Sequence, residues 1–522
     1  MRAPVTARKQ SWQIPDWART APLLGLIGVV ASLCSTGFDV IGVDQQLYVP
    51  FLRKFANPSL YPGDFVFAGA NFHATAFVPV FGTILRLTHC DITTLQVVGY
   101  LVVLFIFMSG LSAVIRRIAP WPAPLWGILL FCWPLPIPGS ADGLYEPNFH
   151  PHTLGIGLAL WSLSQLLAER FIVAAALAAL AFLFHPLIGV AALAGSFLGS
   201  SAFAGRSMLR WALSATVFLA IAHAILPAQQ TSLSLRPVSW WLSAASANYL
   251  WFESWSHATF ATFAMWLILA VATWRTHGNR SLVGLARFGA AGLLMLLVAI
   301  VGMQLRSPLL VSLQLHRGFF LFEIATVAFT ARRLTEAFLA NRLTRAAWIA
   351  TAAIALTHSA AFVLATLIFA SVITTAAVSE RTWWARHLPV AALLVLFVMP
   401  PRPRYTIATP AGWLALQQWA NHDTNSEARF LAPLYFPDFR VYSQRPSVLG
   451  TQDAAPTIFD EEMAAAVAAR SPVRQAYADR SCSELHLLAQ RFKATFVVTE
   501  WSCEAMRLRH QESGFYVYEE SP

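Results

Sequence analysis

Long apolar segments separated by short polar stretches fill the first 400 residues of this chain. A membrane-spanning helix needs about 20 mostly apolar residues, and segments of roughly that kind recur throughout. The candidate spans are 21–38, 93–115, 122–137, 153–167, 171–184, 187–203, 211–226, 258–274, 282–303, 309–330, 346–378 and 384–398. Segment 346–378 is too long for one span and is interpreted as two, which gives about 13 transmembrane helices. The shorter apolar run 72–87 is interpreted as re-entrant.

Arginines in the short loops orient these helices. Arg2, Arg8, Lys9 and Arg19 precede the first helix, and each later loop on the same side also contains arginine. Because positive residues are enriched in cytoplasmic loops, the N-terminus is predicted to be cytoplasmic. The outer side then receives the loops 39–92, 138–152 and 227–257, the breaks at 185–186 and 304–308, and the C-terminal tail. We therefore expect a multi-pass protein of the bacterial inner membrane with a periplasmic tail.

The tail changes character at about Arg404. It contains 14 of the 26 acidic residues, and its apolar runs are short. Helices are predicted at 411–421, 460–469 and 483–492, and strands near 429–432, 440–442, 495–499 and 514–518. This alternation predicts a small α/β domain, 404–522, after a transmembrane domain, 1–403.

Two tail cysteines flank a predicted helix and strand of comparable length. Cys482 precedes the helix and Cys503 follows the strand, so their sulfurs could meet. An oxidising compartment would preserve a disulfide between them. The alternative is two unpaired thiols, because spacing alone does not fix the separation that a disulfide needs.

Composition supports a membrane protein. Hydrophobic residues make up 57% of the chain and charged residues only 12%, against about 25% charged residues in a typical soluble domain. Mean hydropathy is +0.56 and the pI is about 9.7. The basic balance comes from loop arginines, and no basic run with interleaved aromatics indicates a nucleic-acid surface. The expected partner is the lipid bilayer, not a nucleic acid.

The first outer loop contains four aspartates, and three of them, Asp39, Asp44 and Asp64, lie well before its end at Asp91. A short surface helix is predicted after Asp44, and it places Asp44 and Tyr48, four residues apart, on one face. Carboxylates are costly beside a bilayer, so such residues mark a candidate site. Alternatively, these aspartates cap helices and turns.

The second outer loop is rich in ionisable groups. Asp142, Glu146, His150 and His152 lie within eleven residues. The two histidines can converge from an extended chain, and with Glu146 or Asp142 as a third ligand they could bind a divalent metal. The alternative is a polar loop that caps the following helix, with Thr153 as the N-cap.

Two breaks within the apolar segments add further polar groups, at His185-Pro186 and at His316-Arg317. A buried arginine needs a partner or a polar cavity. One hypothesis is that Arg317 binds an anionic head group such as a lipid phosphate, which suits its planar guanidinium. The other is a structural ion pair between Arg317 and Glu323 or another carboxylate.

This layout resembles the GT-C superfamily of membrane glycosyltransferases. The resemblance rests on Asp44 early in a long first outer loop, on the architecture, and on the tail segments 439–445 and 488–499. It implies a GT-C-like fold and sugar transfer from a polyprenyl-phosphate donor at the extracytoplasmic face. Asp44, or failing it Asp39, matches the acidic residue that serves there as general base or positions a metal.

The residues expected to act in such a reaction come from both outer loops and both breaks. The predicted catalytic residues are Asp44, His150 and His152, and the predicted substrate-binding residues are Arg317, Glu146, Asp64 and His185. A transporter or lipid flippase would line a translocation path with the same groups. In a non-catalytic membrane protein they would have no chemical role.

Overall fold

The computed structural model describes residues 17–68, 75–131, 135–140, 142–203, 205–225, 240–241, 247–276, 279–340, 404–406 and 409–520. Up to residue 340 the described chain is almost entirely helical. The helices of this part are α1 (Trp17–Ser35), α2 (Gln45–Ala56), α3 (Phe77–Thr88), α4 (Ile92–Ile118), α5 (Ala123–Phe131), α6 (Pro151–Leu167), α7 (Phe171–Phe184), α8 (Pro186–Ser200), α9 (Gly205–Ile225), α10 (His257–Thr273), α11 (Arg280–Gln304), α12 (Pro308–Ser312) and α13 (Phe320–Leu339).

The long helix α4 lies at the centre of the bundle and packs against α1 and α6. Asp91 begins it by accepting a hydrogen bond from the Thr94 amide at 2.9 Å, and Arg116 and Arg117 occupy its last turn. Both ends therefore follow ordinary helix chemistry, with an acidic cap at the positive end and basic residues at the negative end. Helix α6 also packs against α7, and α8 packs against α11.

Apolar side chains remain exposed along one face of several helices. On α9, Leu209, Leu213, Val217 and Ile221 recur every four residues and are between 50% and 60% exposed. Residues spaced four apart share a helix face, and a large exposed apolar surface marks a site of protein or membrane contact. Such a stripe is what a lipid-facing helix requires.

Most predicted helices are confirmed, but the predicted number of transmembrane helices is not tested. In the described part of the chain, two helices, Ile92–Ile118 and Arg280–Gln304, are long and apolar enough to cross a membrane. Five shorter apolar helices accompany them, Phe77–Thr88 among them. The predicted spans 346–378 and 384–398 lie outside the described residues. The total of about 13 remains a prediction.

The predicted span 309–330 is not one continuous helix, and its interruption includes the predicted break at His316-Arg317. The chain instead forms α12, a 3₁₀ helix at Leu315–Phe319, and then α13. Gln314 separates the first two with a left-handed φ of 44°, a conformation that α-helices of L-residues exclude. The interruption brings the polar residues of this segment out of regular helix geometry and towards the second outer loop.

The tail contains a four-stranded sheet with helices packed around it. Its strands are β3 (Phe430–Leu431), β4 (Phe496–Thr499), β5 (Arg507–Glu512) and β6 (Phe515–Glu519), arranged in the order β3-β4-β6-β5. Strands β3 and β4 are parallel, and the other neighbours are antiparallel. The helices are α14 (Ala411–Asp423), α15 (Arg440–Ser443), α16 (Glu461–Arg470), α17 (Pro472–Ala478) and α18 (Cys482–Phe492).

The tail agrees with the predicted α/β pattern except in a few places, among them the helix α17, which was not predicted. Residues 440–442 form the helical turn α15, not a strand, and β5 was not predicted. The predicted disulfide between Cys482 and Cys503 is confirmed, with a Cα–Cα distance of 5.7 Å. The start of the tail is joined to the chain after α1 by a two-stranded parallel sheet, β1 (Gly37–Asp39) with β2 (Arg404–Thr406).

Candidate functional site

The neighbouring helices α6 and α8 each begin with a histidine–proline pair, so the imidazoles of both pairs belong to the same site. In α6, His150 is the N-cap and Pro151 the first helical residue; in α8, His185 and Pro186 have the same positions. Proline suits this position because its fixed φ matches the helix and no amide hydrogen is needed. The predicted cap Thr153 is wrong, because Thr153 is the third residue of α6 and its hydroxyl accepts from the Glu146 amide.

The capping hydrogen bonds determine which ring nitrogen of each histidine carries the proton. Nδ1 of His150 accepts from the His152 amide at 3.2 Å, and Nδ1 of His185 accepts from the Ile188 amide at 3.4 Å. A neutral imidazole has one donor and one acceptor. Nε2 is therefore the protonated nitrogen in both rings, and it is free to donate away from its helix.

His150 donates that proton to Asp44. Nε2 of His150 lies 2.9 Å from Oδ2 of Asp44; the His150 side chain is 5% exposed and that of Asp44 38%. Burial alone would lower the pKa of His150, but Asp44 outweighs it and the pKa is raised. Asp44 precedes α2 yet makes no capping hydrogen bond with its side chain. The Asp44 carboxylate is thus hydrogen-bonded to His150 through Oδ2 and remains partly exposed to solvent.

Helix α2 presents Asp44 and Tyr48 to the same partner, as the spacing predicted. The Tyr48 ring meets the His150 ring edge-on, with 5.3 Å between ring centroids. Burial, reinforced by the negative charges of Asp44 and Asp142, raises the pKa of the Tyr48 phenol. Tyr48 therefore stays neutral and closes one side of the His150 imidazole.

A second acidic group, Asp142, connects the site to the 3₁₀ helix at Leu315–Phe319. Its carboxylate binds the guanidinium of Arg317, and its Oδ2 lies 3.7 Å from Nδ1 of His152. Burial opposes ionisation of Asp142, but Arg317 and the neighbouring histidines hold its pKa well below the usual range. Arg317 also lies over the ring of Tyr249, 5.5 Å from its centroid.

The hypothesis of an Arg317–Glu323 pair is contradicted by these contacts, and its alternative, a pair with another carboxylate, is confirmed. Both carboxylate oxygens of Glu323 are buried and have no hydrogen-bond partner among the described residues. His152 donates from Nε2 to the Gly143 carbonyl, 2.9 Å away, and its buried Nδ1 has no hydrogen-bond donor in the part of the chain that the structure describes. The rings of His152 and His185 meet edge-on at 5.4 Å.

Glu146 forms a hydrogen bond within its own loop. Its Oε1 accepts from the Gly143 amide at 2.7 Å, and an isolated bridge between Pro136 and Gly143 narrows the loop. Burial raises the pKa of Glu146 to about 7, although the Gly143 hydrogen bond opposes this. The carboxyl group is held beside the histidines, and substrate binding by Glu146 remains a prediction.

Two predicted acidic residues have other partners. Asp64 begins a 3₁₀ helix, Phe65–Phe67, by accepting from the Val66 amide, and its carboxylate binds Arg440 of the tail. Asp39 accepts from the Ile41 amide at 3.2 Å, a turn contact of the kind expected for aspartate. Substrate binding by Asp64 stays a prediction, but the contacts described are those of a structural ion pair.

The site also contains groups that sequence reasoning did not single out. Nε2 of Gln45 donates to the Phe149 carbonyl at 2.7 Å, which ties α2 to the segment before His150. Oε1 of Gln45 and Oδ1 of Asn148 are buried and have no hydrogen-bond partner within the described part of the chain. They flank Gly42, where a Cβ would lie 2.5 Å from Nδ2 of Asn148. The sequence offered two signals for these residues: a glycine at position 42, shortly before Asp44, and an asparagine at position 148, two residues before His150.

No group of three or more histidine, cysteine, aspartate or glutamate side chains in the described part of the chain is arranged to hold a metal ion. Both nitrogens of His150 are already engaged, by Asp44 and by the His152 amide. Divalent-metal binding by these residues stays a prediction.

Comparisons with known proteins give a short sequence match and a distant structural likeness. A family profile described as "Domain of unknown function (DUF6798)" matches residues 411–455. No curated protein sequence matches the chain. Similar solved structures include the Archaeoglobus fulgidus oligosaccharyltransferase tethered to an acceptor peptide containing the NVT sequon, at 11% identity and a TM-score of 0.47.

A second similar structure is the archaeal oligosaccharyltransferase AglB, also from Archaeoglobus fulgidus, in complex with an inhibitory peptide and a dolichol-phosphate. It is 10% identical, with a TM-score of 0.43. Each likeness covers 94% of this chain and 70% of the other. Both TM-scores lie below 0.5, and the proposals below rest on the residues of this chain.

Proposed function

We propose that this protein is a membrane glycosyltransferase that takes a sugar from a polyprenyl-phosphate donor at the extracytoplasmic face of the bacterial inner membrane. The observation that carries the proposal is the Asp44–His150 pair, in which a half-exposed carboxylate is held by a buried imidazole at 2.9 Å. A general base must reach its substrate while its own orientation is fixed. Asp44 meets both requirements.

In the proposed step, Asp44 removes the proton from an acceptor hydroxyl. The oxygen attacks the anomeric carbon of the donor sugar, the bond from that carbon to the phosphate oxygen breaks, and the lipid phosphate leaves with the electron pair. His150 keeps one carboxylate oxygen occupied, so the other faces the acceptor. Its own tautomer is fixed because Nδ1 accepts the His152 amide hydrogen.

Arg317 is the group best suited to the departing phosphate. Its guanidinium is always charged and can bind oxygen atoms with several N–H groups at once. Asp142 uses one of these groups, and the Nε–H of Arg317 has no partner among the described residues. Asp142 thus orients the cation while leaving donors for the substrate. His152 lies beside Arg317, but its one N–H is already donated to the Gly143 carbonyl, so Arg317 alone supplies hydrogen bonds to the phosphate.

The unpartnered amide oxygens near Asp44 suit a substrate rich in hydroxyl groups. Oε1 of Gln45 and Oδ1 of Asn148 are acceptors only, and each is buried with no donor among the residues that the structure describes. A buried unsatisfied acceptor costs about 1–3 kcal/mol. Hydroxyl donors from a sugar would satisfy both oxygens and offset that cost, whereas an apolar substrate would not.

The test is a transfer assay with full-length protein in liposomes. A polyprenyl-phosphate-linked radiolabelled sugar is supplied, and release of free polyprenyl phosphate is measured with and without a mixture of hydroxyl-bearing acceptors. We expect acceptor-dependent release that Arg317→Met abolishes, since the leaving phosphate loses its counter-charge. Movement of intact labelled lipid between leaflets without release would instead support a flippase and contradict the proposal.

A further inference from the structure

A buried arginine joins the tail to the first outer loop. The Arg440 side chain is 2% exposed, and three carboxylates surround it. Its Nε lies 2.7 Å from Oδ2 of Asp64, its Nη1 2.9 Å from Oδ2 of Asp438, and its Nη2 3.0 Å from Oδ2 of Asp453. Asp64 belongs to the loop that carries α2, whereas the other two belong to the tail. One guanidinium therefore binds both parts of the molecule.

The cluster holds more negative than positive charge. Burial raises the pKa of Asp438 to about 6 against the pull of Arg440, and the nearby Asp453 adds to the rise. Burial, together with the nearby charge of Asp64, also raises the pKa of Asp453 against the pull of Arg440. Without Arg440, the buried carboxylates would lose the cation that binds all three directly and would repel one another. The loop carboxylate, Asp64, would then be driven from the tail.

Further hydrogen bonds attach the tail to both ends of α2. Near its start, Oε1 of Gln46 accepts from the Asp438 amide at 3.1 Å. Near its end, Arg53 donates to the Val441 carbonyl. Between α2 and Asp64, the Tyr61 hydroxyl donates to the Arg440 carbonyl at 3.1 Å. The residues that these bonds reach lie at or beside Arg440, so its placement controls them together.

We infer that Arg440 is a positioning residue, and that the docked tail holds α2 where Asp44 meets His150. Gln46 lies two residues after Asp44, so a shift of α2 away from the tail changes the Asp44–His150 distance. The catalytic meaning of this inference rests on the proposed function. The docking itself does not, because it can be measured on His150 directly.

Arg445 supplies a matched control. It is also a buried arginine of the tail, at 7% exposure. It donates to the carbonyls of Asn421 and Thr424 at 2.6 Å and 2.8 Å, and thus to groups of the tail itself. Its removal should weaken the tail without releasing the first outer loop.

The experiment measures how fast diethyl pyrocarbonate modifies His150 in the full-length protein in detergent, by mass spectrometry. His89, which is exposed at the end of α3, serves as the internal reference. In the wild type His150 should react slowly, because its Nε2 is buried against Asp44. We expect Arg440→Met to raise the rate at least about tenfold, since loss of one partner of a buried ion pair is strongly destabilising. Arg445→Met should leave it unchanged.

Equal His150 rates in the wild type and Arg440→Met would overturn the inference, as would equal increases in both arginine variants. If Arg440→Met does not fold, Gln46→Ala decides. This variant removes the hydrogen bond from the Asp438 amide to α2 and keeps the ion cluster. It should raise the modification rate of His150 by a smaller factor than Arg440→Met. An unchanged rate overturns the inference.

The transfer assay then separates this inference from the proposed function. Arg440→Met should lower kcat and leave KM for the lipid donor nearly unchanged, because Arg317 stays in place. Arg440→Lys should not restore kcat, since an ammonium cannot bind three carboxylates in the same geometry. A wild type that transfers no sugar defeats the proposed function, while the His150 rates still decide the positioning role.

Discussion

The guanidinium of Arg317 binds the carboxylate of Asp142, 175 residues earlier in the chain, and the two side chains are only 12% and 11% exposed. A buried pair of this kind is sensitive to the loss of either partner, because the remaining charge stays in a poor solvent. The pair connects the second outer loop to the break between α12 and α13.

Asp142→Asn should therefore destabilise the protein strongly. We expect a loss of about 3–5 kcal/mol in the free energy of unfolding, measured by chemical unfolding in detergent, because Arg317 would be buried without a counter-charge. Glu336→Gln is the control: it breaks the more exposed pairs with Arg332 and Arg333 and should cost under about 1 kcal/mol. A similar small loss for Asp142→Asn would contradict the burial described for the pair.

Docking of the tail should depend on pH through Asp438. Its folded pKa is about 6, above the value near 3.9 of an unfolded aspartate. Because the folded pKa is the higher of the two, the Asp438 carboxyl group contributes stability that is fully present below about pH 4 and is lost as pH rises through 6. Arg440, Asp64 and Asp453 face the carboxyl group within the cluster.

Tail stability, followed by limited proteolysis between pH 5 and pH 8, should fall as pH rises. Asp438→Asn should reduce that dependence, because the amide cannot ionise. Glu146, whose pKa is also raised, contributes with the same sign, so Glu146→Gln in both backgrounds isolates the Asp438 part. A wild-type profile that Asp438→Asn leaves unaltered would exclude this role.

The disulfide between Cys482 and Cys503 closes a loop of 21 residues. In the chain-entropy model such a bond stabilises a domain by about 3 kcal/mol. The double variant Cys482→Ser/Cys503→Ser should lower tail stability by roughly that amount in thermal or chemical unfolding. Free thiols at both positions in protein from the native membrane would remove this prediction and argue against a periplasmic tail.

Orientation remains a prediction from the arginine distribution. A reporter enzyme that is active only in the periplasm, fused after Pro522, should be active, and the same reporter placed between Arg116 and Arg117 should be silent. The reverse pattern would place Asp44 and His150 on the cytoplasmic side and would exclude an extracytoplasmic reaction.

The pattern of apolar residues predicted several helices closely, because apolar side chains are favoured both in a protein core and in contact with lipid. The predicted helix 171–184 coincides with α7, and the tail helix 411–421 falls within α14. The shared face of Asp44 and Tyr48 also followed from helical spacing, and both contact His150.

Long-range partners could not be read from the sequence in the same way. Nothing local distinguishes Asp142 from Glu323 as the partner of Arg317, because the choice depends on how distant loops meet. Residues 440–442 have strand-forming side chains, yet Arg440 begins a helical turn inside its carboxylate cluster. Tertiary contacts therefore override local propensity there.

The unpredicted strand β5 has a different explanation. Its sequence, Arg507–Glu512, is mostly charged or polar and largely exposed, and it lies at the edge of the sheet. Edge strands carry such residues to prevent further strand pairing. The alternation of apolar and polar residues that reveals a half-buried strand is consequently weak in this segment.

The central claim, that Asp44 is the base, is tested most directly by comparing Asp44→Asn with Asp39→Asn in the transfer assay. Both variants replace one oxygen of a first-loop aspartate, but only Asp44 is bound to His150. We expect Asp44→Asn to lower kcat by about 10²-fold or more, in the range of general-base catalysis, while Asp39→Asn retains most of the activity. Full activity of Asp44→Asn, or its loss in Asp39→Asn alone, would contradict the account.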